Sequence, residues 1–364
     1  MLTSCRSANI CLISVRNLSY ITPLNKYIML SNGNIDIIYW NRTGATDKCS
    51  AGNVYEYNYT LKDRDCKIKK IMGYWGFRQF ALKILKHNRY KKIIVLPTQT
   101  ALILYDYIIF TTKCRYMLSI RDYTYEHNKI FAYFINKLIQ KASIVTLTSP
   151  AFKQFLPEGD YIIDHNYEPF NKNLISLYRE QKKQKDYQRP IVISCVGGIR
   201  FIDEFSKMIR VFANDKRFIL RFDGLGSENL QPLCEKLKCN NIILTGRFER
   251  RQTVAIAMKG DIANNYFGNS NPLLIYALSN RLYNAAQLGM PIIVCDHTYM
   301  AEIIRKYQIG FVLNLDDNTS VDSLYNWYMN LNMQSLYTAC DKFIDDVLVD
   351  EQLYKDKVGA WMIA

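Results

Sequence analysis

Glycines follow three strand-like segments in the second half of the sequence, and arginines accompany two of them, an arrangement that suits a phosphate group. The apolar run IVISCV, for example, leads directly into Gly197, Gly198 and Arg200. Glycines let the backbone approach a ligand closely, and the start of the next helix offers free N–H groups to a phosphate. One such loop is a weak signal, whereas three in succession favour a nucleotide or phosphate site. The residues concerned are Gly197, Gly198, Arg200, Gly224, Gly226, Gly246 and Arg247.

Arg281 lies at the start of a short helical pattern in the stretch LSNRLYNAAQLGMPIIV. Ser279 or Asn280 is a suitable N-cap, which places Arg281 in the first turn. Gly289 then ends the helix, and Pro291 prevents its continuation. A cation in the first turn opposes the helix dipole unless an anion binds in front of it. We therefore interpret Arg281 as an anion-binding residue; the alternative is an arginine that extends into solvent.

Strand-like and helix-like segments alternate along both halves of the chain, which predicts parallel sheets with crossover helices. In the first half, strands are predicted at 10–15, 35–40, 115–120 and in KKIIVL and SIVTLTS, and helices at about 66–87 and 129–141. Ligands of such sheets bind beyond the carboxyl ends of the strands, where the residues above lie. The polar stretch 171–189 is interpreted as a linker, or as a solvent-facing helix leading into one. The expected fold is α/β, with two Rossmann-like domains, 1–170 and 190–345, facing each other across a cleft. A C-terminal segment, 346–364, is expected to pack back on the first domain.

The excess positive charge lies in the first half of the chain. The 364 residues have a net charge of +14, and residues 1–188 contain 28 Lys and Arg against 14 Asp and Glu. Residues 189–364 contain 19 of each. A basic half indicates a polyanionic partner, such as nucleic acid, an anionic membrane or a phosphorylated substrate, or else a solvated basic surface.

The ten cysteines are scattered and form no CxxC pair, which argues against a zinc site or a disulfide framework and fits a reducing cytosol. Cys195 and Cys295 lie in apolar runs and are expected to be buried thiols. The apolar run at 10–15 is too short for a secretory signal, and polar residues interrupt the run at 93–110. We therefore expect a cytoplasmic protein.

The segments SNRLYNAAQLGMPIIV and MAEIIRKYQIGFVL resemble the donor-binding motif of group 1, family 4-like bacterial glycosyltransferases of the GT-B fold. The resemblance extends to VGGIRF, DGLG and LTGRF and covers most of residues 190–315, whereas over 1–188 it is general. It implies that Arg281 contacts the donor pyrophosphate and that Ser279 and Asn280 line the same loop. Glu302 would accept hydrogen bonds from donor hydroxyls. It also implies that the second domain binds a nucleotide-sugar donor and the first domain the acceptor.

The chain departs from the family pattern at two positions. Two glutamates separated by seven residues, present in many members, correspond to Tyr276 and Asn284 here. The usual ribose contact is then either taken over by Asn284 as a neutral hydrogen-bonding partner or lost. The resemblance therefore implies a divergent member of the capsular or exopolysaccharide type. Its alternatives are a non-catalytic, nucleotide-sugar-binding partner subunit and a GT-B sugar-nucleotide epimerase.

Polar residues that follow predicted strands in the first half are candidates for the acceptor side. Asp122 would act as general base if the enzyme inverts, and His127 is an alternative catalytic or acceptor-orienting residue; either is otherwise a capping or surface residue. No metal-ligand spacing is present and the family generally needs no bound metal, so neither a metal nor another cofactor is expected. Arg281, Arg200 and helix N-termini would stabilise the leaving diphosphate. The remaining acceptor-side candidates are Arg16, Asn17, His165 and Asn166.

The segment that begins at Lys62 and ends at Lys92 carries 11 Lys and Arg and two acidic residues, interleaved with large apolar residues. It predicts either a peripheral contact with the anionic inner face of the cell membrane or a helix packed on the sheet with a solvated basic face. No motif supports nucleic-acid binding. The sequence thus predicts a hexosyltransferase-type enzyme that moves a sugar from a nucleotide-sugar donor to a saccharide acceptor. That acceptor is expected to be lipid-linked and to serve surface polysaccharide synthesis.

Overall fold

The chain folds into two compact units, each built around one parallel sheet. The computed structural model describes residues 9–45, 49–62, 64–110, 115–123, 125–183 and 188–364. The first unit comprises Met1–His165 and Val349–Ala364, and the second comprises Asn166–Leu348. The predicted α/β class with two Rossmann-like sheets is confirmed.

The first unit contains a parallel sheet in the order β3-β2-β1-β4-β5-β6-β7. Its strands are β1 (Ile10–Ser14), β2 (Asp36–Asn41), β3 (Val54–Asn58), β4 (Lys92–Val95), β5 (Arg115–Ile120), β6 (Ile144–Leu147) and β7 (Ile162–Ile163). Its helices are α1 (Leu24–Leu30), α2 (Lys67–Asn88), α3 (Thr98–Ile103), α4 (Tyr105–Phe110) and α5 (Lys129–Lys141). β1, β2 and β4 are buried along their whole length, as expected for central strands of a sheet covered on both faces.

The edge strand β3 is absent from the predicted elements. Its sequence, VYEYN, alternates exposed and half-buried residues and includes an acidic side chain, so it lacks the continuous apolar run of the buried strands. It is identified only by its pairing with β2, in which Val54 faces Ile37 and Asn58 faces Asn41.

Two glycines let α2 pack closely on β2 and β3. A Cβ atom on Gly73 would lie 2.7 Å from the Trp40 ring, and one on Gly76 would overlap the Tyr57 hydroxyl. Phe77, one turn after Gly73, stacks on Trp40 with ring centroids 5.9 Å apart. This face of α2 is therefore fixed against the sheet.

The second unit contains a parallel sheet in the order β10-β9-β8-β11-β12-β13. Its strands are β8 (Ile191–Val196), β9 (Phe218–Asp223), β10 (Ile242–Gly246), β11 (Ile262–Asn265), β12 (Ile292–Cys295) and β13 (Gly310–Leu313). Its helices are α6 (Lys172–Lys182), α7 (Ile202–Phe212), α8 (Gln231–Lys236), α9 (Thr253–Ala257), α10 (Pro272–Tyr276), α11 (Asn280–Leu288), α12 (Tyr299–Tyr307) and α13 (Ser320–Asn330), followed by α14 (Met333–Ile363).

Most of the stretch interpreted as a linker is helix α6, which belongs to the second unit. Tyr178 is fully buried, and its hydroxyl donates to the carbonyl of Gly260 at 3.1 Å. Arg179 binds Asp341 through two hydrogen bonds of 2.6 and 2.9 Å. One face of α6 therefore packs on this unit, and the helix is not solvent-facing all round.

The last turns of α14 complete the core of the first unit. Tyr354, Val358 and Met362 are buried in the same cluster as Tyr27. Lys26 joins this helix to the unit, with its ammonium 2.8 Å from Glu351 and 3.0 Å from Asp164. Along the described ranges, no helix is both long and apolar enough to cross a membrane.

Candidate functional site

The strand order of the second unit fixes where a ligand is expected. From β8 the chain proceeds outward through β9 and β10 on one side, while β11, β12 and β13 extend on the other. In this 3-2-1-4-5-6 order, a crevice opens beyond the carboxyl ends of the two central strands. We call this side the carboxyl edge of the sheet. The loop after β8 and the start of α11 both lie there.

Arg281, the second residue of α11, reaches back to the end of β8. Its Nε donates to the carbonyl of Val196 at 2.7 Å, and its Nη2 donates to the carbonyl of Gly198 at 3.0 Å. Its Cζ lies 4.9 Å from the centroid of the Phe267 ring. Nη1 is buried without a hydrogen-bond partner in the described part of the chain. Two carbonyls and a ring orient the cation, but they do not neutralise it.

The start of α11 also leaves its backbone donors without a side-chain cap. Ser279 occupies the N-cap position, but its side chain makes no capping hydrogen bond. Its hydroxyl instead donates to the Asn265 side chain at 2.7 Å. The positive end of the helix dipole and the Arg281 charge therefore lie side by side, which favours a bound anion. The carbonyls of Val196 and Gly198 offset part of the unfavourable placement, so Arg281 also has a structural role that the sequence does not indicate.

The glycine loops serve two different purposes. Gly224 and Gly226 have φ angles of +148° and +98°, and a Cβ on either would overlap a carbonyl of the loop after β8. The two loops are joined by backbone hydrogen bonds, including one of 2.8 Å from Gly197 N to the Asp223 carbonyl. These two glycines are therefore required by loop packing. Gly197, by contrast, has φ +114° and only the Arg281 side chain near its missing Cβ, at 3.6 Å, so its surface stays open to a ligand.

The other predicted donor residues lie around the same edge. Arg200, Arg247, Asn280 and Glu302 are exposed, and Glu302 belongs to the first turn of α12. Gly198 is exposed beside Arg200, and Gly246 has φ +73° with open space around it.

Asn284 lies one turn after Arg281, and both line a cavity of about 30 Å³. Sites for small molecules typically measure about 300–1,000 Å³, so this cavity cannot hold a nucleotide. A nucleotide would bind on the open edge above it.

The two cysteines near the site are buried, as predicted. Burial raises the pKa of the Cys195 thiol, and the nearby Arg281 charge only partly opposes that shift. Burial likewise raises the pKa of the Cys295 thiol. A thiol held protonated in this way is a poor nucleophile at neutral pH.

Phe267 and Asn265 are site residues that the sequence analysis does not single out. Asn265 is fully buried at the end of β11 and accepts the Ser279 hydroxyl, and Phe267 supports the Arg281 guanidinium. The signal available was the pair of asparagines that ends the run DIANN, because amides are uncommon at buried strand positions.

On the acceptor side, the structure brings Arg16 and Asp122 together. Arg16 Nη2 lies 2.8 Å from Asp122 Oδ2, and both side chains are about two-fifths exposed. They follow β1 and β5 at the carboxyl edge of the first sheet. His127 is exposed before α5, and its ring stacks on Tyr123 at 6.3 Å between centroids. Asp122 is thus an oriented carboxylate that remains accessible, which a general base requires.

Two other acceptor-side candidates have structural roles. The Asn17 amide is buried and donates to Asn41 at 2.8 Å and to Thr43 at 2.9 Å. His165 is buried, with its Nε2 3.0 Å from Asp350 in the part of α14 that belongs to the same unit. Both side chains are engaged inside the protein and are poorly placed to bind an acceptor. Asn166, half-buried, is the first residue of the second unit rather than part of the first.

The described residues contain no group of three or more His, Cys, Asp or Glu side chains arranged to hold a metal ion. The predicted metal-independence concerns activity and stays a prediction.

No protein-family model matches the sequence, and no curated protein is significantly similar to it in sequence. Solved structures, however, match over nearly the whole chain. HepE of Anabaena, in complex with UDP, has a TM-score of 0.68 at 12% identity and covers 96% of this chain and 99% of its own. The sucrose-phosphate synthase of Thermosynechococcus elongatus has a TM-score of 0.69 at 10% identity, with coverage of 96% and 99%. The lipopolysaccharide outer core galactosyltransferase WaaB in its apo form has a TM-score of 0.67 at 14% identity, with coverage of 98% and 99%. By structure, the chain has the α/β fold of the GT-B glycosyltransferases, as its sequence motif predicts.

Proposed function

We propose that the protein is a hexosyltransferase-type glycosyltransferase whose second unit binds a nucleotide-sugar donor. The observation that carries the proposal is Arg281, an oriented cation without an acidic partner among the described residues, beside the uncapped start of α11. A diphosphate is the part common to all nucleotide-sugar donors, and it matches this pair of positive groups. HepE, which has the same fold, is known in complex with UDP-glucose, and WaaB is a galactosyltransferase.

In the proposed reaction, an acceptor hydroxyl oxygen forms a bond to the anomeric carbon of the donor sugar. The bond between that carbon and the diphosphate oxygen breaks, and the nucleoside diphosphate leaves with the bonding electrons. Asp122 takes the hydroxyl proton if the enzyme inverts. Arg281, with Arg200 and the N–H groups of α11, stabilises the negative charge that develops on the leaving group.

The remaining predicted residues of the edge are assigned to the donor. Glu302 accepts hydrogen bonds from hydroxyls of the donor sugar. Ser279 and Asn280 line the diphosphate loop, and Asn284 takes the place of the acidic ribose contact. Gly197 and Gly198 give the diphosphate close access to the backbone, and Arg247 adds positive charge nearby.

The acceptor is proposed to be a lipid-linked saccharide used in surface polysaccharide synthesis, bound to the first unit. Helix α2 supports this, because its face opposite the sheet is both apolar and basic. Ile68, Ile71, Met72 and Trp75 are 59–71% exposed and recur at helical spacing among the lysines of this segment. Such a face suits an anionic membrane surface, so the protein is proposed to be cytoplasmic and peripheral to the inner face of the cell membrane.

Analysis of reaction products distinguishes the transferase from its two rivals. The protein is incubated with a panel of nucleotide sugars, with and without lipid-linked saccharide acceptors. The nucleotides released and the sugars formed are then quantified. A transferase releases nucleoside diphosphate, faster when acceptor is present. Conversion of the donor sugar without acceptor would identify an epimerase, and binding of a donor without any conversion would identify a non-catalytic subunit.

A further inference from the structure

A second arginine, Arg42 of the first unit, lies against an aromatic ring as Arg281 does in the second unit. It directly follows β2, at the carboxyl edge of the sheet. Its backbone is held on both sides: its N–H donates to Asn17 Oδ1 at 3.0 Å, and its carbonyl accepts from the N–H of Leu61 at 3.0 Å. The buried Asn17 amide thus serves to fix this residue.

Aromatic rings also fix the guanidinium of Arg42. Its Cζ lies 4.5 Å from the centroid of the Trp40 ring and 5.5 Å from that of Tyr74. Nη2 lies 3.4 Å from the Tyr74 hydroxyl, which is a long hydrogen bond. Tyr74 belongs to α2 and reaches Arg42 because neighbouring Gly73 allows the helix to approach Trp40. Stacking on a ring orients an arginine and leaves the planar fork of N–H groups for a ligand.

The charge of Arg42 is not neutralised within the described residues. None of their acidic groups pairs with it, and its buried Nε has no hydrogen-bond partner. Glu56, a carboxylate on the neighbouring strand β3, instead accepts from Asn41 and Tyr39, both at 2.7 Å. Three other arginines of the unit, Arg16, Arg78 and Arg121, are each paired with an aspartate, Arg121 with Asp164 at 2.7 Å. Since Arg42 is half-buried, part of it stays accessible.

We propose that Arg42 binds an oxyanion carried by the acceptor, a phosphate ester or a carboxylate, at the carboxyl edge of the first sheet. This rests on the proposed function and specifies its acceptor as an anionic saccharide. An arginine that is already fixed loses little freedom on binding, and its guanidinium can bind two oxygens of a phosphate or a carboxylate at once. A neutral saccharide would leave this charge without an acidic partner among the described residues.

Calorimetric titration of simple ligands tests the assignment. The ligands are glucose 1-phosphate, glucuronate, glucose and inorganic phosphate, and every protein carries Arg281→Ala so that the donor edge contributes little. Arg42→Gln removes the charge, and Arg42→Lys keeps it without the fork. Arg64→Gln, at an exposed arginine of the same unit, is the matched control. UDP is titrated separately into proteins with Arg281 intact. An absence of UDP binding would then show that the donor site is wrong, whatever the result for Arg42.

The expected result is that glucose 1-phosphate or glucuronate binds, whereas glucose does not. The ligand that binds more tightly indicates whether the acceptor carries a phosphate ester or a carboxylate. Arg42→Gln should weaken binding about 10- to 100-fold, Arg42→Lys less, and Arg64→Gln not measurably, in line with loss of one charge-assisted hydrogen-bonding group. If Arg42→Gln does not fold, the loss of affinity in Arg42→Lys, compared with that in Arg64→Gln, tests the proposal instead.

Three results would overturn the proposal. The first is that neither anionic saccharide binds the protein with Arg42 intact. The second is that Arg42→Gln, or Arg42→Lys in its place, binds as tightly as its parent. The third is that inorganic phosphate binds as tightly as glucose 1-phosphate, which would mean a free-anion site with no acceptor role.

Discussion

At the scale of single residues, some arginines of this protein are paired with a carboxylate and others contact only rings and neutral groups. Arg121 and Arg221 are each paired with a buried aspartate, at 2.7 Å from Asp164 and Asp223 respectively. Arg281 and Arg42 instead lie against an aromatic ring and contact neutral groups. Rings and neutral hydrogen-bonding groups orient the charge without cancelling it, so these two arginines keep their attraction for an anion.

The loop glycines allow a test at the same scale. Gly224→Ala would place a methyl group on the Gly197 carbonyl at φ +148°, so a loss of at least about 2 kcal/mol in the free energy of unfolding is expected. Gly246→Ala is the control, because its φ of +73° has open space around it and costs only about 1 kcal/mol of backbone strain. Urea denaturation measures both. Equal losses in the two variants would show that loop packing is not what requires Gly224.

The sequence could not predict Arg42 or the double role of Arg281. The position of Arg42 depends on Trp40 and Tyr74, which come together only when α2 packs on β2. Arg281, in contrast, lies in a local pattern of cap, helix and turn, and that pattern was enough to single it out. Residues whose roles depend on contacts between distant elements leave no local signal.

At the scale of elements, prediction succeeded where one periodicity dominates. α5 has the predicted bounds, Lys129–Lys141, because its apolar residues recur on one face. The bounds of α2, Lys67–Asn88, agree with the prediction to within one residue, but the sequence does not determine which of its apolar residues are exposed. Its two faces are both apolar: Phe77 and Ala81 are buried against the sheet, whereas Ile71 and Trp75 are exposed. Sequence alone cannot tell which apolar face a sheet covers.

The exposed face of α2 predicts membrane binding that depends on apolar side chains as well as charge. Ile71→Glu should weaken binding to vesicles containing one-third phosphatidylglycerol by 10-fold or more, because it replaces an exposed apolar side chain that the membrane would bury with a charge that the anionic surface repels. Met29→Glu is the matched control, since Met29 is 76% exposed on another helix of the same unit. Sedimentation with vesicles measures both. Equal binding by the wild type and Ile71→Glu would show that this face does not contact the membrane.

At the scale of the whole molecule, charge is distributed differently in the two units. The first unit, where the acceptor would bind, contains 25 Lys and Arg against 14 Asp and Glu, whereas the second contains 22 against 19. In the second unit, the buried carboxylates of Asp223 and Asp261 are each paired with a basic side chain. Asp261 accepts from Lys182 at 2.6 Å and from two nitrogens of Arg189 at 2.7 Å each. This carboxylate joins the end of α6 and the chain before β8 to the sheet.

The stability of the protein should therefore depend on pH through Asp261. Burial raises the pKa of this carboxyl, but the bonds from Arg189 and Lys182 outweigh burial and hold the pKa below its ordinary value of 3.8. A lowered pKa in the folded state contributes stability above pH 3.8, and that stability is lost as the pH falls through the folded-state value. Asp261→Asn should cost about 2 kcal/mol at pH 7, because the partly exposed Lys182 and Arg189 lose the carboxylate that they bind. The difference from wild type should shrink at pH 3.

Urea midpoints at pH 7 and pH 3 provide the measurement. Asp322→Asn is the control, because Asp322 is 65% exposed and its pair with Arg217 is expected to contribute at most about 1 kcal/mol. A deficit in Asp261→Asn that stays the same at both pH values would contradict the assignment of the charged carboxylate as the stabilising group.

Binding of nucleoside diphosphates to wild type, Arg281→Ala and Arg210→Ala tests the central claim most directly. Arg210 is an exposed arginine on α7 and controls for loss of charge alone. The expected result is that one nucleotide selectively raises the melting temperature of the wild type and of Arg210→Ala. In Arg281→Ala its affinity should fall at least about 10-fold, as expected for loss of a charged diphosphate contact. If no nucleoside diphosphate stabilises the wild type, or if Arg281→Ala binds it equally well, the proposed donor site is wrong.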